Sequence, residues 1–341
     1  MRIKIFLVKQ FKNFLGLFIF IVVNGNVTAN NMNLNWEYIS KETQDICNSV
    51  QKILAPSQDF PDLTTKKALK NCNADSFYYG FQNTPDYLKA RECALIKNDY
   101  NILTMIYANG KGVKRDLSIA IHYACMMDAA PIEMEERVKH LYKMRDKKDL
   151  IDTFDICDDI TSGYMITVCL GIKQGQEKAQ QKNYLDIFKK KLTSNEQKKL
   201  EKLRNASIIY FDARMENEID RFQANATAHG IIEEMNLNKQ MLKKLKKTEQ
   251  CIFPTYTLTQ YQKIDNKLNV IYNKIQKKLF AKSLTVTING IQKTERAWIK
   301  YRNAWVDFGY MKCPEISAIS WNALITKERV IQLEALANLE D

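Results

Sequence analysis

The sequence predicts an all-α protein: a short helix-turn-helix repeat segment followed by two small antiparallel helical bundles, braced by disulfides. Glycine and proline, which interrupt helices, are scarce at 11 and 6 of 341 residues. Apolar residues recur at helical spacing over long stretches of the C-terminal half. The eight cysteines form an even set, and the N-terminus decides how that set is interpreted.

The N-terminus has the pattern of a signal peptide over residues 1–29. Four basic residues and no acid lie in residues 1–13, an apolar run covers 14–23, and Ala29 offers a small residue for cleavage. The apolar run is about half of the roughly 20 residues that span a bilayer. We therefore expect cleavage after Ala29 and a periplasmic or secreted mature chain with no membrane span. Nucleic acid is then excluded as a partner.

All eight cysteines follow the predicted cleavage site. In an exported chain an even count indicates disulfides. A zinc site would need closely spaced pairs with histidines nearby, but the two closest cysteines are Cys157 and Cys169. No metal or cofactor site is expected. The cysteines are Cys47, Cys72, Cys93, Cys125, Cys157, Cys169, Cys251 and Cys313.

The formal charge of the whole chain is +12. Cleavage would remove four cations and no acids, which leaves +8 on the mature chain. The largest share is in residues 250–341, where 13 basic and 8 acidic residues give +5. A basic exported protein is suited to anionic envelope polymers or to lipid head groups, although a basic face is usually only solvated.

Residues 105–124 have the pattern of a helix, a glycine turn and a second helix. Gly110 and Gly112 supply turn positions, and Asp116 is placed to cap the second helix. A weaker copy lies 30 residues earlier, where Asp86 corresponds to Asp116. This pattern resembles the Sel-one-like repeat, a relative of the tetratricopeptide repeat, over residues 70–130. The earlier copy is expected to lack the glycine turn.

A second internal repetition has an offset of 88 residues. Tyr184, Leu203, Ala206, Tyr210 and Arg214 correspond without a gap to Tyr272, Ile291, Thr294, Trp298 and Arg302. The later copy contains three amphipathic stripes, so each of its helices must bury one face against the others. The members of the three stripes are Ile264, Leu268, Ile271, Ile275 and Leu279; Ile291, Thr294, Trp298, Tyr301 and Trp305; Ile319, Leu324, Val330 and Leu333.

The later copy, residues 250–337, resembles the LprI-like lysozyme-inhibitor family. The residues that carry the resemblance are Leu268, Asn269, Tyr272, Gln292, Arg296, Ala297, Trp298, Tyr301, Arg302, Asn303, Cys313, Thr326 and Arg329. The sequence departs from the family pattern in two ways. Asn303 is an amide where the family usually has an acid, and the family usually has a cysteine soon after this position, whereas here the next one is Cys313, ten residues later. Residues 151–248 are identified as a diverged copy that has lost the tryptophan.

The resemblance implies a lysozyme-inhibitor-like role at the cell envelope, with lysozyme or peptidoglycan as the partner. It also implies that Cys157 pairs with Cys169 and Cys251 with Cys313, while the other four cysteines have three possible connectivities. An inhibitor needs a rigid protrusion that enters a cleft. We expect that protrusion in a loop over residues 308–314, with Phe308, Tyr310, Lys312 and Arg302 as the candidate partner-binding residues.

Aromatic residues at Trp298, Tyr301 and Trp305 share one helical face and are expected in the bundle core. Arg302 is expected to pair with Asp265 or Glu295, or else to mark a partner surface.

No catalytic residues are expected. The cysteines are predicted to be oxidised, and His122, His140 and His229 lie in unrelated settings. Adjacent carboxylates, as at Asp158-Asp159 and Glu233-Glu234, point in different directions on a helix.

The predicted organisation is a signal peptide at 1–29, a Sel-one-like repeat region at 30–150, a diverged LprI-like domain at 151–249 and an LprI-like domain at 250–341. We expect a non-catalytic binding protein. The alternative is an adaptor that binds envelope proteins or peptidoglycan without inhibiting lysozyme.

Overall fold

The computed structural model describes residues 38–82, 84–147, 152–221, 225–281 and 285–338, with side chains omitted at 278–281. All regular secondary structure in these ranges is helical, as the composition predicts. The predicted signal peptide lies outside the described residues. The helices are α1 (Lys41–Val50), α2 (Leu63–Ala68), α3 (Ala74–Tyr79), α4 (Tyr87–Lys97), α5 (Tyr100–Asn109), α6 (Leu117–Ala124), α7 (Pro131–Asp146), α8 (Gly163–Lys190), α9 (Ser194–Asn217), α10 (Ala226–Lys247), α11 (Leu258–Ala281), α12 (Ile288–Lys312) and α13 (Ala318–Asn338).

Most helix starts carry a side-chain cap. Asp116 accepts hydrogen bonds from the backbone N–H groups of Ser118 and Ile119 at 2.9 and 3.0 Å, which confirms its predicted role. At the start of α9, Thr193 and Glu196 form a complete capping box. Such caps satisfy N–H groups that the helix itself leaves unpaired.

Helices α3–α4 and α5–α6 form two helix-turn-helix pairs related by 30 residues. Gly80 ends α3 at φ 70° and Gly110 ends α5 at φ 65°, both left-handed. The backbone N–H groups of Asp86 and Asp116 donate to the carbonyls of Phe77 and Tyr107, again 30 residues apart. The expectation that the first pair lacks a glycine turn was therefore wrong, since Gly80 occupies the position of Gly110.

The four cysteines of this region are paired as Cys47–Cys125 and Cys72–Cys93. The first disulfide joins α1 to the end of α6, and α7 packs against both of these helices. The second joins the segment before α3 to α4. Each disulfide therefore fixes a segment outside the two pairs to one of their second helices.

The six C-terminal helices form two three-helix units in the order predicted by the 88-residue repetition. The first unit is α8, α9 and α10, and the second unit is α11, α12 and α13. In each unit the outer two helices pack against each other, and the middle helices α9 and α12 pack together. Lys312 pairs with Glu196 at one end of the α9–α12 contact, and Thr294 donates to the carbonyl of Ala213 towards the other. These two middle helices are therefore antiparallel.

One continuous hydrophobic core runs through both units. Trp305, Trp321 and Phe308 are fully buried within it, and Tyr210 of α9 stacks on Tyr301 of α12 with ring centroids 5.1 Å apart. The predicted placement of Trp298, Tyr301 and Trp305 in the core is confirmed, since they are 3, 4 and 0% exposed. The domain boundaries at 150 and 249 stay a prediction.

Candidate functional site

Residues 308–312 of the loop proposed from sequence belong to the end of α12, which continues to Lys312. Phe308 is fully buried and makes edge-to-face contacts with Phe188 and Trp305 at centroid distances of 6.5 and 6.3 Å. The expected loop is absent at these described positions, and Phe308 cannot touch a partner directly. Its contribution to any surface is to fix the end of α12.

The other three candidates lie in different environments. Tyr310 is 52% exposed. Lys312 is half-buried, and its Nζ lies 3.1 Å from Glu196 Oε1. Burial opposes ionisation of Glu196, but the hydrogen bonds that it accepts from Thr193 and Lys312 lower the pKa of the carboxyl below its ordinary value. Lys312 therefore ties α12 to the start of α9, and Tyr310 is the candidate most available to a partner.

Arg302 is half-buried, and its guanidinium lies over the Trp298 ring, 5.0 Å from the centroid. Its Nε has no hydrogen-bond partner among the described residues. Of the two predicted partners, Glu295 is bonded to Arg329 instead, and Asp265 accepts a hydrogen bond from Asn269. The expected ion pairs of Arg302 are therefore not formed.

The structure contains a buried ionic network that the sequence analysis did not identify. The Arg329 guanidinium, 0% exposed, donates to both oxygens of Glu218 and to Glu295. Arg214, the repeat counterpart of Arg302, bonds to Glu218 and pairs with Glu233. The network thus links the end of α9 to α10, α12 and α13, at the junction of the two units.

Two charges of this network, on Arg329 and Glu218, are held ionised by their neighbours, whereas burial raises the pKa of Glu295 above its ordinary value. Burial alone would lower the pKa of Arg329, but the carboxylates of Glu218 and Glu295 raise it well above the ordinary value. Burial would raise the pKa of Glu218, and the guanidinium groups of Arg329 and Arg214 lower it instead. Ion pairs buried in this way tie the helices that carry them to one another, and breaking one leaves a buried charge without its partner.

The Cys251–Cys313 disulfide joins the segment before α11 to the end of α12. Phe253 packs on Trp321 with ring centroids 4.5 Å apart, and the backbone N–H of Tyr256 donates to Ser320 Oγ at 2.9 Å. Residues 252–257 are therefore fixed along the start of α13. We call residues 251–257 and 310–316 the braced end; Ile252 and Tyr310 are its large exposed hydrophobic side chains, at 66 and 52% exposure.

A glycine permits the close packing beneath the braced end. A Cβ at Gly309 would lie 2.4 Å from the Trp321 ring, closer than any real contact. Trp321 in turn stacks on Trp305 at 6.1 Å. Gly309 thus lets the Trp321 ring of α13 lie against the backbone of α12.

The potentially reactive side chains of the described residues do not converge. His122 bonds to the carbonyl of Val50, and His140 bonds to Asp159. The sulfurs of Cys251 and Cys313 and a carboxylate oxygen of Glu315 lie within 4.8 Å of one another, close enough to bind one metal ion. However, the two sulfurs are bonded to each other and offer no thiolate. Glu233 and Glu234 pair with different cations, Arg214 and Lys178.

The two predicted local disulfides, Cys157–Cys169 and Cys251–Cys313, are present. They are not equivalent within the two units. Cys157–Cys169 joins the segment before α8 to α8 itself, whereas Cys251–Cys313 reaches the end of the middle helix. Only in the second unit does the local disulfide join the segment before the first helix to the end of the middle helix.

One part of the chain, residues 247–333, is similar to a known protein family. No curated protein and no solved structure matches it significantly. A family model does match, over residues 247–333, and its description is "Lysozyme inhibitor LprI". The Sel-one-like resemblance at residues 70–130 stays a prediction. The second unit, with the braced end, is thus the part of the chain that is similar to the LprI lysozyme-inhibitor family.

Proposed function

We propose that this protein is an exported, non-catalytic binding protein of the bacterial envelope that inhibits lysozyme through its second unit. The observation that carries the proposal is the LprI family match at residues 247–333, which covers the Cys251–Cys313 disulfide, α11, α12 and most of α13.

Export is supported by the cysteines. All eight are paired in four disulfides, and such bonds persist in oxidising compartments. None of the described helices is long and apolar enough to cross a membrane. The signal peptide at 1–29 and the periplasmic or secreted location belong to the proposal.

The braced end is the surface that we assign to lysozyme. It combines exposed hydrophobic side chains, Ile252 and Tyr310, with a backbone fixed by a disulfide and by the packing of Phe253 on Trp321. A rigid surface loses little conformational entropy on binding, and exposed tyrosine often supplies much of an interface's energy.

The test is a lysozyme assay with purified mature protein against c-type, g-type and i-type lysozymes. We expect inhibition of at least one type at micromolar protein, and Tyr310→Ala should weaken it about tenfold. The matched control is Tyr164→Ala, a change at an exposed tyrosine of α8, which should have no effect. If none of the three lysozyme types is inhibited, the inhibitor role is refuted.

A second candidate function is favoured by charge. Residues 250–341 have a formal charge of +5, and many lysozymes are themselves basic, so electrostatics would slow their association. An adaptor that binds envelope proteins or peptidoglycan without inhibition fits this charge. Retention on purified peptidoglycan, together with no lysozyme inhibition, would favour the adaptor.

A further inference from the structure

The first unit contains an open groove between its outer helices α8 and α10. Its volume is about 440 Å³. From α8 it is lined by Gln181 and Tyr184, and from α10 by Lys239, Leu242, Lys243 and Lys246, with Glu177 as the one carboxylate of the lining. We propose that this groove docks an acidic amphipathic helix of a partner protein. The proposal is independent of the lysozyme-binding role of the second unit.

The lysines of the groove have charge available for a partner. Lys239 and Lys243 are exposed and form no ion pair with any described residue. Lys246 is exposed too and lies over the Tyr184 ring, 5.3 Å from the centroid. Other lysines of the same unit have acidic partners, as Lys178 has in Glu234 and Lys191 in Glu249. The positive charge is therefore uncompensated along one stripe of α10.

The 88-residue repetition shows that an open groove is not a necessary property of this helix pair. Buried residues of α10 and α13 correspond at that offset, as Leu237 does to Ile325 and Leu245 to Leu333. Leu242 then corresponds to Val330, which is buried in the core of the second unit. In the first unit the same position is half-buried and lines the groove.

At one of the three lysine positions the charge is reversed between the units. Lys246 corresponds to Glu334, which pairs with Lys267 across α11 and α13 at 2.7 Å. In the first unit the outer helices are joined by polar contacts, including a hydrogen bond from Gln181 to Asn238 at 3.3 Å. The second unit thus buries Val330 and pairs Glu334 with Lys267, whereas the first unit leaves Leu242 half-buried and Lys246 without an ion pair to any described residue.

The spacing of the lysines indicates the chemistry of the partner. Residues four apart on a helix are separated by about 6 Å along its axis, so Lys239, Lys243 and Lys246 match carboxylates at i, i+4 and i+7 of a second helix. Leu242 offers an apolar contact between them. A helix seated in a groove between two helices places apolar side chains at the floor and acids at the rim. A flat membrane surface would meet the exposed lysines but not the half-buried leucine.

The test uses a labelled helical peptide with glutamates at i, i+4 and i+7 and leucines between them. Its binding to the full mature protein is measured by fluorescence anisotropy, at low ionic strength and at about 0.15 M salt. The triple variant Lys239→Gln, Lys243→Gln, Lys246→Gln should weaken binding about tenfold, as expected for three surface pairs. Leu242→Asn should weaken it as well, which a purely electrostatic association would not show.

The matched control changes three exposed lysines of the second unit, Lys263→Gln, Lys274→Gln and Lys293→Gln, and should leave binding within about twofold. Equal binding of a scrambled peptide with the same charge would overturn the proposal. So would an equal loss in the control variant, or groove-dependent binding of polygalacturonate or anionic phospholipid vesicles in place of the peptide. Unchanged circular dichroism and melting temperature exclude unfolding of the variants, and lysozyme inhibition by the groove variant should be unchanged.

Discussion

The two three-helix units have the same helix order, yet their outer helices meet through different chemistry. Leu268 and Ile271 of α11 lie in the hydrophobic core with Val330 and Leu333 of α13. In the first unit Gln174 and Lys178 of α8 bond to Glu234 of α10. The middle helices are tightly packed against each other in the same structure. The two units are therefore alike in the packing of the middle helices α9 and α12, through which they meet, and differ in the contacts between their outer helices.

The largest effect is expected at the buried network. Arg329 corresponds at the 88-residue offset to Met241, so Arg329→Met makes the second unit resemble the first at this position. The change leaves Glu295 without its cation and Glu218 with Arg214 alone. Removing one partner of a buried pair typically costs about 3–5 kcal/mol of unfolding free energy. Urea denaturation measures the loss, with Met241→Leu as the control at less than about 1.5 kcal/mol.

The same network should make the stability of the protein depend on pH. The folded-state pKa of Glu218 is below its ordinary value, because the burial that would raise it is outweighed by Arg329 and Arg214. Its stabilising contribution is therefore fully present above about pH 4.5 and is lost as the pH falls through the lowered folded-state pKa. Glu218→Gln should be less stable than the parent at neutral pH, and the gap should narrow on acidification. A gap independent of pH, measured by denaturation at several pH values, would contradict the assignment.

The next comparison is between leucines where the outer helices of each unit pack together, measured as the loss of unfolding free energy on truncation to alanine. Leu268→Ala removes a side chain that is 7% exposed and should cost about 3 kcal/mol. Leu242→Ala, in the open groove of the first unit, should cost less than about 1 kcal/mol because Leu242 is only half-buried. Equal losses in urea denaturation would mean that the groove is closed in solution.

The sequence was sufficient for features that depend on local pattern. Helical periodicity predicted the buried face with Trp298 and Trp305, and the aspartate before an apolar stripe predicted the cap at Asp116. The two local disulfide pairs, Cys157–Cys169 and Cys251–Cys313, followed from the family resemblance rather than from physical reasoning about spacing.

Features that depend on distant contacts were not predictable in this way. Glu218 and Arg329 are 111 residues apart, and nothing in either neighbourhood specifies the other as a partner. The end of α12 was misplaced because an aromatic segment tethered by Cys313 suggested a protruding loop, whereas the helix continues to Lys312 and buries Phe308. The groove is visible only once Gln181 and Leu242 are placed on facing helices.

The smallest expected effects are at two glycines, one in each unit, which differ in the space available for an added Cβ. Gly309 of α12 has no room for a Cβ, because the Trp321 ring lies within 2.4 Å of its ideal position. Gly309→Ala should therefore lower the unfolding free energy by about 1–3 kcal/mol through overpacking.

The opposite sign is expected in the first unit. A Cβ at Gly171, in the first half of α8, meets no atom within 4 Å, and its backbone is helical. Gly171→Ala should raise the unfolding free energy by about 0.5–1 kcal/mol, because alanine loses less conformational entropy than glycine on entering a helix. Thermal and urea denaturation of the two variants in parallel measure both signs. A loss at Gly171 would show that another side chain covers this part of α8 in solution.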